Sequence, residues 1–265
     1  MAKKKKDDSS LESKPPDLFA LLTPPGSEGK FDRELALETV TPQQMPVDSP
    51  APLSPDSPDA GDCNTLRNPP ESSDSWEKLR KDGLACKGCE LYKTRMNFVL
   101  GEGPLNADLV FIGEAPGADE DATGRPFVGL AGRHLDKILS AAGFRREDVY
   151  ICNILKDRPP NNRTPTTEEM NACSPLLERQ LAMLHPKIIA LLGNTSIKYA
   201  IGPDAPGITK IHGQWFTSIF GIPCMPLYHP SYLLRYQART TGSPNWQMWQ
   251  DIQTLKKRYD ELCGA

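Results

Sequence analysis

The stretch that decides the fold of this chain is Leu109-Val110-Phe111-Ile112-Gly113-Glu114-Ala115-Pro116-Gly117. The apolar residues at its start predict a short buried strand that ends at Gly113. The glycines on either side of Glu114 allow backbone N–H groups to approach a ligand closely. A phosphate-binding loop is disfavoured, because the stretch lacks the Lys-Ser/Thr of a P-loop and the spacing of G-x-G-x-x-G. Taken alone, the stretch is also compatible with a plain tight turn that carries a solvated glutamate.

Three other stretches, far apart in the sequence, also follow or lie within apolar runs. They are Gly124-Arg125-Pro126-Phe127-Val128-Gly129, Asn153 and His229-Pro230-Ser231. Residues at the carboxyl ends of parallel strands converge on one crevice, so we predict that these stretches meet the Glu114 turn in one pocket. A carboxylate, an aromatic ring, an amide and an imidazole gathered there could hold a flat heterocycle and hydrolyse a bond to it.

The rest of the chain after residue 76 alternates strands with helices. Strands are predicted at 109–112, 149–155, 188–192 and within 222–228, and helices at 130–142, 166–184, 195–201 and 246–262. The helix at 166–184 opens with the capping box Thr166-x-x-Glu169. This order predicts an α/β fold, a three-layer α/β/α sandwich around a central, mainly parallel sheet.

Composition divides the 265 residues into two parts. Residues 1–75 hold 12 of the 26 prolines and carry a net charge of −6, from 8 Lys/Arg and 14 Asp/Glu. Such a segment cannot bury a core, so we predict a disordered, acidic, proline-rich tail. Two apolar islands in it, 17–22 and 31–40, could dock on a protein partner or remain transient helices in a linker. Residues 76–265 form the predicted folded domain.

Charge and cysteine content restrict the class of protein. The folded part carries a net charge of +3, which permits a nucleic-acid partner without requiring one. No apolar stretch approaches the roughly 20 residues of a membrane span, and no secretory signal follows the basic start. Seven cysteines, two of them in Cys86-x-x-Cys89, favour a metal or redox site over a disulfide framework. We therefore expect an intracellular, cytoplasmic protein without a membrane partner. We also expect a monomer of prokaryotic type.

Three residues are candidates for recognising a heterocycle. Phe127, in a loop bounded by glycines, could stack on a base, which is worth about 1–3 kcal/mol, or could be an ordinary core residue. Asn153 lies in an otherwise apolar strand, where it could read the polar edge of a base or bond to a neighbouring loop. His229 ends the last strand, where it could be functional or an ordinary satisfied histidine.

The loop from Ser231 to Pro244 interleaves aromatic and aliphatic side chains with arginines. Wedges of this kind suit insertion into a nucleic-acid groove. The alternative is the half-buried beginning of a helix.

Together these motifs resemble the uracil-DNA glycosylase superfamily, specifically its family 4, the iron–sulfur type. The similarity runs from about Leu84 to Leu262. The motifs that carry it are Cys86-x-x-Cys89, GEAPG, GRPFVG, the strand with Asn153, RPPNNRTP from Arg158 to Pro165, Cys173 and HPSYLLR. The combination is specific, whereas each motif alone is weak.

The resemblance implies a role for each matching residue. Phe127 stacks on a uracil that has been flipped out of DNA, Asn153 recognises its polar edge, and His229 hydrogen-bonds its O2 as negative charge develops there. Glu114 positions or polarises the attacking water, and Asn162 also contributes to the active site. Gly113, Ala115 and Gly117 belong to the substrate-binding turn, and Ser231, Tyr232, Leu233, Leu234 and Arg235 to the loop that enters the DNA.

The family also implies a 4Fe-4S cluster, and here the chain departs from the family's pattern. Cys86, Cys89 and Cys173 match three ligands, but Asp157 stands where another cysteine is expected. Asp157 could bind the fourth iron through oxygen, Cys152 could replace it, or the cluster could hold three irons or be lost. Since successive strand residues face opposite sides, Cys152 should face away from the pocket if Asn153 faces it. We expect a bound cluster, structural or DNA-orienting, with Asp157 nearby or ligating.

We therefore expect a DNA repair enzyme that hydrolyses the N-glycosidic bond of uracil in single- or double-stranded DNA and leaves an abasic site. One alternative is a non-catalytic or covalent uracil-DNA-binding protein of the same superfamily. The branch that traps the sugar uses a histidine in an inserted basic loop, which Arg158 to Pro165 lacks, and it has glutamine where this chain has Ala115. A second alternative is a small-molecule nucleotide-binding protein, against which the wedge-like loop argues.

Overall fold

The computed structural model describes residues 74–236, 238 and 240–264, so the predicted tail up to residue 73 lies outside the described residues. The described residues form a five-stranded sheet with helices packed around it. Its strands are β1 (Leu109–Gly113), β2 (Tyr150–Asn153), β3 (Ile188–Leu192), β4 (Phe216–Thr217) and β5 (Pro223–Leu227). The spatial order is β2-β1-β3-β5-β4, with the first four strands parallel and β4 antiparallel at the edge. The predicted α/β fold with a mainly parallel sheet is confirmed.

Helices precede, connect and follow these strands. The α-helices are α1 (Trp76–Ala85), α2 (Ala118–Thr123), α3 (Leu130–Ala141), α4 (Thr167–Leu184), α5 (Asn194–Ala200), α6 (Ile208–Ile211), α7 (Pro230–Leu233) and α8 (Pro244–Cys263). Short 3-10 turns lie at Glu90–Lys93, Arg146–Asp148 and Pro160–Asn162. None of the helices within the described residues is long and apolar enough to cross a bilayer.

The direction of the crossovers puts helices on both faces of the sheet. The chain moves from β1 outward to β2 in one direction, and then back past β1 to β3 and β5 in the other. Parallel crossovers are right-handed, so the helix between β1 and β2 lies on one face and those between β2 and β5 lie on the other. Helix α8 packs with α3 on the first face. Because the connections diverge between β1 and β3, their carboxyl ends form a topological switch point, the usual place for a ligand site.

Burial on both faces explains the composition of the strands. Every residue of β1, β2 and β3 is buried, as expected for a parallel sheet covered by helices on each side. The predicted capping box at the start of α4 is also confirmed. The Thr166 hydroxyl accepts a hydrogen bond from the Glu169 N–H at 3.2 Å, and the Glu169 carboxylate accepts one from the Thr166 N–H at 2.9 Å.

The structure differs from the predicted elements in two respects. Strand β2 ends at Asn153, two residues earlier than predicted, although the next two N–H groups still donate to the carbonyls of Gly113 and Glu114. These bonds tie the chain after Asn153 to the turn that carries Glu114. Helices α1, α2 and α6 and the edge strand β4 were not predicted, because short or weakly amphipathic segments give little periodic signal.

Candidate active site

Asn153 and Phe127 meet above Gly113 at the end of β1. In the sheet register, Gly113 pairs with Asn153. A methyl group on Gly113 would overlap Asn153 Oδ1 and would lie 2.6 Å from Phe127 Cζ. The amide and the ring therefore approach each other over a position that only glycine can occupy. The structure thus brings together two of the residues that the sequence placed in one pocket.

The Phe127 loop holds its ring in a strained backbone conformation. Phe127 is buried and has a φ of 50°, in the left-handed region that costs a non-glycine residue about 1–2 kcal/mol. Arg146 donates to the carbonyls of Phe127 at 3.2 Å and Pro126 at 2.7 Å. A Cβ on Gly132, in α3, would overlap the Phe127 carbonyl. The surrounding structure therefore imposes this conformation, as is common at functional sites.

Glu120 connects the two glycine-rich loops. One carboxylate oxygen accepts hydrogen bonds from the N–H groups of Val128 and Gly129, both at 2.9 Å. The other accepts from the Gly117 N–H at 3.1 Å. Sequence reasoning missed this residue. The spacing of Gly117 and Glu120 is that of a capping box, but glycine at the first position lacks the side chain that marks the motif.

Asn153 is a buried polar side chain with an unpaired oxygen. The residue is 2% exposed, and among the described residues its Oδ1 has no hydrogen-bond partner. Leaving a buried acceptor unsatisfied costs about 1–3 kcal/mol. Beneath it, the fully buried Lys156 donates from Nζ to the Asn153 carbonyl at 2.7 Å, and burial lowers the pKa of that amine. The backbone carbonyl of Asn153 thus has a partner, whereas its side-chain Oδ1 has none in the described structure.

His229 lies beside the Phe127 ring and presents a neutral imidazole. The two ring centroids are 5.8 Å apart. His229 Nδ1 accepts the Ser231 N–H at 3.2 Å and lies 2.7 Å from the Ser231 hydroxyl oxygen. Burial lowers the pKa of His229 from 6.5 to about 4, so the ring is neutral at physiological pH. Because Nδ1 accepts, the proton of the neutral ring is assigned to Nε2, which is then a hydrogen-bond donor.

Glu114 is oriented by a residue that the sequence did not indicate. The hydroxyl of Thr195, at the start of α5, donates a short hydrogen bond to the Glu114 carboxylate. Glu114 follows β1 and Thr195 follows β3, so this contact spans the switch point of the sheet. The carboxylate is therefore fixed at the carboxyl ends of the two central strands.

Asn162 has a different setting from the other predicted catalytic residues. It lies in a 3-10 turn with a φ of 55°, which asparagine tolerates, and its side chain is exposed. Its Oδ1 accepts a hydrogen bond from Arg158 Nε at 2.7 Å. No hydrogen bond within the described part of the chain joins it to Glu114 or Asn153.

The predicted DNA-entering loop contains buried and exposed residues. Leu233 is 1% exposed and belongs to the core, so it anchors the loop. Ser231, Leu234 and Arg235 are exposed, with Leu234 at 45%. The Tyr232 ring is stacked on that of Tyr228, with an angle of 8° between them. The exposed apolar tip of this loop is therefore Leu234.

The cysteine region lies between α1, α4 and the segment after β2. The loop with Cys86 and Cys89 packs on α4, since a Cβ on Gly88 would lie 3.6 Å from Cys86 Sγ and 3.7 Å from Ala172 Cβ. Cys173 Sγ accepts the backbone N–H of Lys156 at 3.4 Å. Within residues 74–264, leaving out 237 and 239, no three His, Cys, Asp or Glu side chains converge on a single metal ion.

Asp157, at the atypical ligand position, is engaged by an arginine. Arg95 Nη1 lies 2.8 Å from Asp157 Oδ1 and 3.0 Å from Oδ2. Burial raises the pKa of Asp157, and the guanidinium opposes that rise. Cys152, the other candidate ligand, is completely buried in β2.

Comparison with known proteins points to one family. A sequence model of the Uracil DNA glycosylase superfamily matches residues 100–253. The type-4 uracil-DNA glycosylase of Thermotoga maritima is 49% identical over 159 residues, which are 60% of this chain and 81% of that protein. Type-4 uracil-DNA glycosylases of Sulfurisphaera tokodaii and Archaeoglobus fulgidus are 44% and 38% identical, over 70% and 72% of this chain and 88% and 94% of theirs.

Proposed function

Because this chain belongs to the uracil DNA glycosylase superfamily, we propose that it excises uracil from DNA by hydrolysing the N-glycosidic bond. The observation that carries the proposal is the unpaired, buried Asn153 amide opposite the Phe127 ring. An aromatic face and an amide edge are what a flat pyrimidine with adjacent carbonyl and N–H groups requires. The product is free uracil and an abasic site.

Binding of the base uses the residues above Gly113. A target base must leave the stack to be reached, and the flipped uracil then stacks on Phe127. The Asn153 amide donates to uracil O4 and accepts from N3–H, which satisfies the buried oxygen that is unpaired in the free protein. Since Gly113 has no side chain, the Asn153 amide and the Phe127 ring can both approach the end of β1, and the base binds against these two groups.

Bond breaking uses His229 and Glu114. As the C1′–N1 bond breaks, its electron pair moves onto the uracil ring and positive charge develops at the sugar. His229 Nε2–H donates to uracil O2, where a prepositioned donor is worth about 3 kcal/mol. The Glu114 carboxylate, fixed by Thr195, faces the developing cation and orients the water whose oxygen bonds to C1′. The proton released by this water passes to the carboxylate or to solvent, and the departing uracil anion takes up one proton from solvent. Asn162 lies in the neighbouring turn, where it also contributes to the active site.

We propose that a cluster of iron and sulfide is held by Cys86, Cys89 and Cys173. Three thiols from two segments that pack together are a suitable donor set, and the N–H···S bond to Cys173 is typical of thiolate ligands. Asp157, at the fourth ligand position, supplies a carboxylate where the other three ligands are thiolates. When bound, such a group would be structural or DNA-orienting, because hydrolysis of the glycosidic bond itself requires no metal.

The DNA is uracil-containing and can be single- or double-stranded. We further propose that the protein acts as a monomer inside the cell, where its DNA substrate lies. Size-exclusion chromatography with light scattering, in the presence and absence of DNA, measures the oligomeric state.

A cleavage assay tests the proposed activity. The protein is incubated with uracil-containing single- and double-stranded oligonucleotides and then with alkali, which breaks abasic sites. We expect cleavage at uracil, with more than one product molecule per enzyme, and none with thymine at the same position. Absence of alkali-labile sites would refute the activity. A denaturant-resistant protein–DNA adduct formed once per enzyme would instead indicate the covalent binder.

Replacing Glu120 by alanine is expected to lower kcat/KM by about 10²-fold, because small misplacements of a reacting geometry have effects of that size. The variant loses the bonds that hold Gly117, Val128 and Gly129. Glu120→Gln should fall between wild type and alanine, since its oxygen can still accept from two N–H groups. Steady-state excision kinetics measure the effect. The matched control is Glu77→Ala on the exposed face of α1; equal losses in both variants would contradict a positioning role for Glu120.

Replacing Leu234 by alanine is expected to lower kcat/KM on duplex DNA by about 10-fold and to change it little on single strands. An apolar side chain inserted between bases compensates for the free energy needed to unstack the target base. This cost is a few kcal/mol per step in a duplex and much less in a single strand. The control is Ile219→Ala, which removes an exposed aliphatic side chain near the amino end of β5, away from the pocket. Equal losses on both substrates would contradict the wedge role.

A further inference from the structure

The Arg95 guanidinium is the centre of a buried connection between two segments of the cysteine region. It pairs with both oxygens of Asp157, and the two side chains are 13% and 5% exposed. Its Nη2 donates to the Leu84 carbonyl at 2.6 Å, and its Nη1 lies 3.4 Å from that of Gly83. One side chain thus fastens the end of α1, immediately before Cys86, to the segment that follows β2.

This connection spans the same two segments that an iron ligand at position 157 would join. A ligand there would link Asp157 through the cluster to Cys86 and Cys89, which follow α1 directly. The ion pair makes that link without iron. Both oxygens of Asp157 already accept from Arg95, at 2.8 and 3.0 Å, so an iron–oxygen bond would have to displace one of these contacts.

Charge favours the ion pair over iron ligation. If Asp157 turned to iron, the largely buried Arg95 would lose its only carboxylate within the described residues. Removing one partner of a buried pair leaves an uncompensated charge, which is strongly destabilising. A carboxylate is also a poor substitute for the thiolates that hold such clusters. The loss of the Arg95 partner and the poor fit of a carboxylate both disfavour an iron–oxygen bond at Asp157.

Cys152, the second candidate ligand, is also held away from the other cysteines by its place in β2. Cys152 lies in the outer strand β2, where it is completely buried and pairs in register with Ile112 of β1. The adjacent Asn153 is held in turn by the fully buried Lys156, which donates from Nζ to the Asn153 carbonyl at 2.7 Å. Moving Cys152 toward the other cysteines would pull β2 out of register and displace the adjacent Asn153.

We infer that Asp157 is not an iron ligand. The Arg95–Asp157 pair instead makes the connection between chain segments that a fourth cluster ligand at position 157 would make. The cluster then has three thiolate ligands, Cys86, Cys89 and Cys173, and its fourth iron, which has no protein ligand, is lost on oxidation by dioxygen, which leaves three iron atoms. This inference rests on the proposed cofactor, but not on the proposed excision activity.

The experiment compares the full-length wild type with Asp157→Asn, Asp157→Cys, Arg95→Gln and the double variant Arg95→Gln/Asp157→Asn. Iron and acid-labile sulfide per chain, the electron paramagnetic resonance spectrum and the Tm are measured. We expect about three iron atoms in the wild type and in Asp157→Asn, with the spectrum of an oxidised three-iron cluster, and about four in Asp157→Cys. Cys152→Ala should retain the wild-type iron content.

The Tm values test the ion pair separately. Arg95→Gln and Asp157→Asn should both melt lower than the wild type, and the double variant should lose less than the sum of the two changes, because both remove the same contact. Glu90→Gln is the control, since its pair with Lys93 is exposed and should contribute little.

Several results would overturn the inference. They are a loss of iron in Asp157→Asn with full iron in Arg95→Gln, four iron atoms in the wild type, or additive Tm changes. A wild type without iron or sulfide would also overturn it. In that case uracil excision, measured on the same preparation, decides independently whether the proposed activity survives.

Discussion

Asn153→Leu is expected to lower kcat/KM for uracil excision by about 10³-fold while raising the Tm. The activity falls because two polar groups of the bound base lose their partners, each at about 1–3 kcal/mol. The stability rises because the Asn153 oxygen is buried without a partner in the described structure, and leucine of similar shape removes that penalty. A gain of about 1 kcal/mol raises the Tm of a domain of this size by roughly 2–4 °C.

A fall in kcat/KM together with a rise in Tm distinguishes a ligand-binding amide from a structural one. A structural amide would lose stability together with activity. Excision kinetics and thermal unfolding are measured on the same preparation, with Asn171→Leu on the exposed face of α4 as the matched control. A variant that melts lower than the wild type, or that retains activity, would refute the assignment of Asn153.

His229→Leu is expected to lower kcat by about 10²–10³-fold with a smaller change in KM, since a donor to developing charge acts mainly in the transition state. Since the pKa of His229 is about 4 in the folded protein, the donor is already neutral at pH 5. The wild-type kcat should therefore show no loss between pH 8 and 5 that is caused by protonation of this residue.

The same pKa shift predicts a pH effect on stability with a definite sign. The folded-state pKa lies below the unfolded value of 6.5, so between pH 6.5 and 4 the unfolded chain binds a proton that the folded chain does not. The free energy of unfolding therefore falls as the pH falls through this window, and the loss should be smaller in His229→Leu. Urea unfolding at several pH values measures it. His185→Asn, an exposed position, is the control, and parallel curves for wild type and His229→Leu would contradict the lowered pKa of His229.

The roles assigned to the cysteine region can be distinguished from those of the pocket. Asn153, Phe127 and His229 lie at the carboxyl edge of the sheet, where we propose that the base binds, whereas Arg95 and Asp157 connect chain segments outside it. Variants of the ion pair should therefore change the Tm and the iron content before they change recognition of uracil.

Much of the fold followed from local pattern. The apolar run before Gly113, the capping box at Thr166 and the alternation of strands with helices were sufficient to predict a mainly parallel α/β sheet. These signals depend on burial and on backbone hydrogen bonds within a few residues of each other, so they can be recognised without knowing the rest of the structure. The same holds for the placement of Glu114, Asn153 and His229 at strand ends.

Other features of the site depend on contacts between distant segments, and only the tertiary structure determines them. The left-handed backbone of Phe127, the reach of Glu120 to the Phe127 loop, and the burial of Leu233 beside the exposed Leu234 have no local periodic signal. Arg95 and Asp157 are 62 residues apart, and their pairing depends on how α1 and β2 are brought together. The sequence by itself determined which residues form the sheet and stand at its edge, because hydrophobic periodicity is local. Folding decided which of their polar groups are paired and which remain free, because pairing depends on distances that exist only in three dimensions.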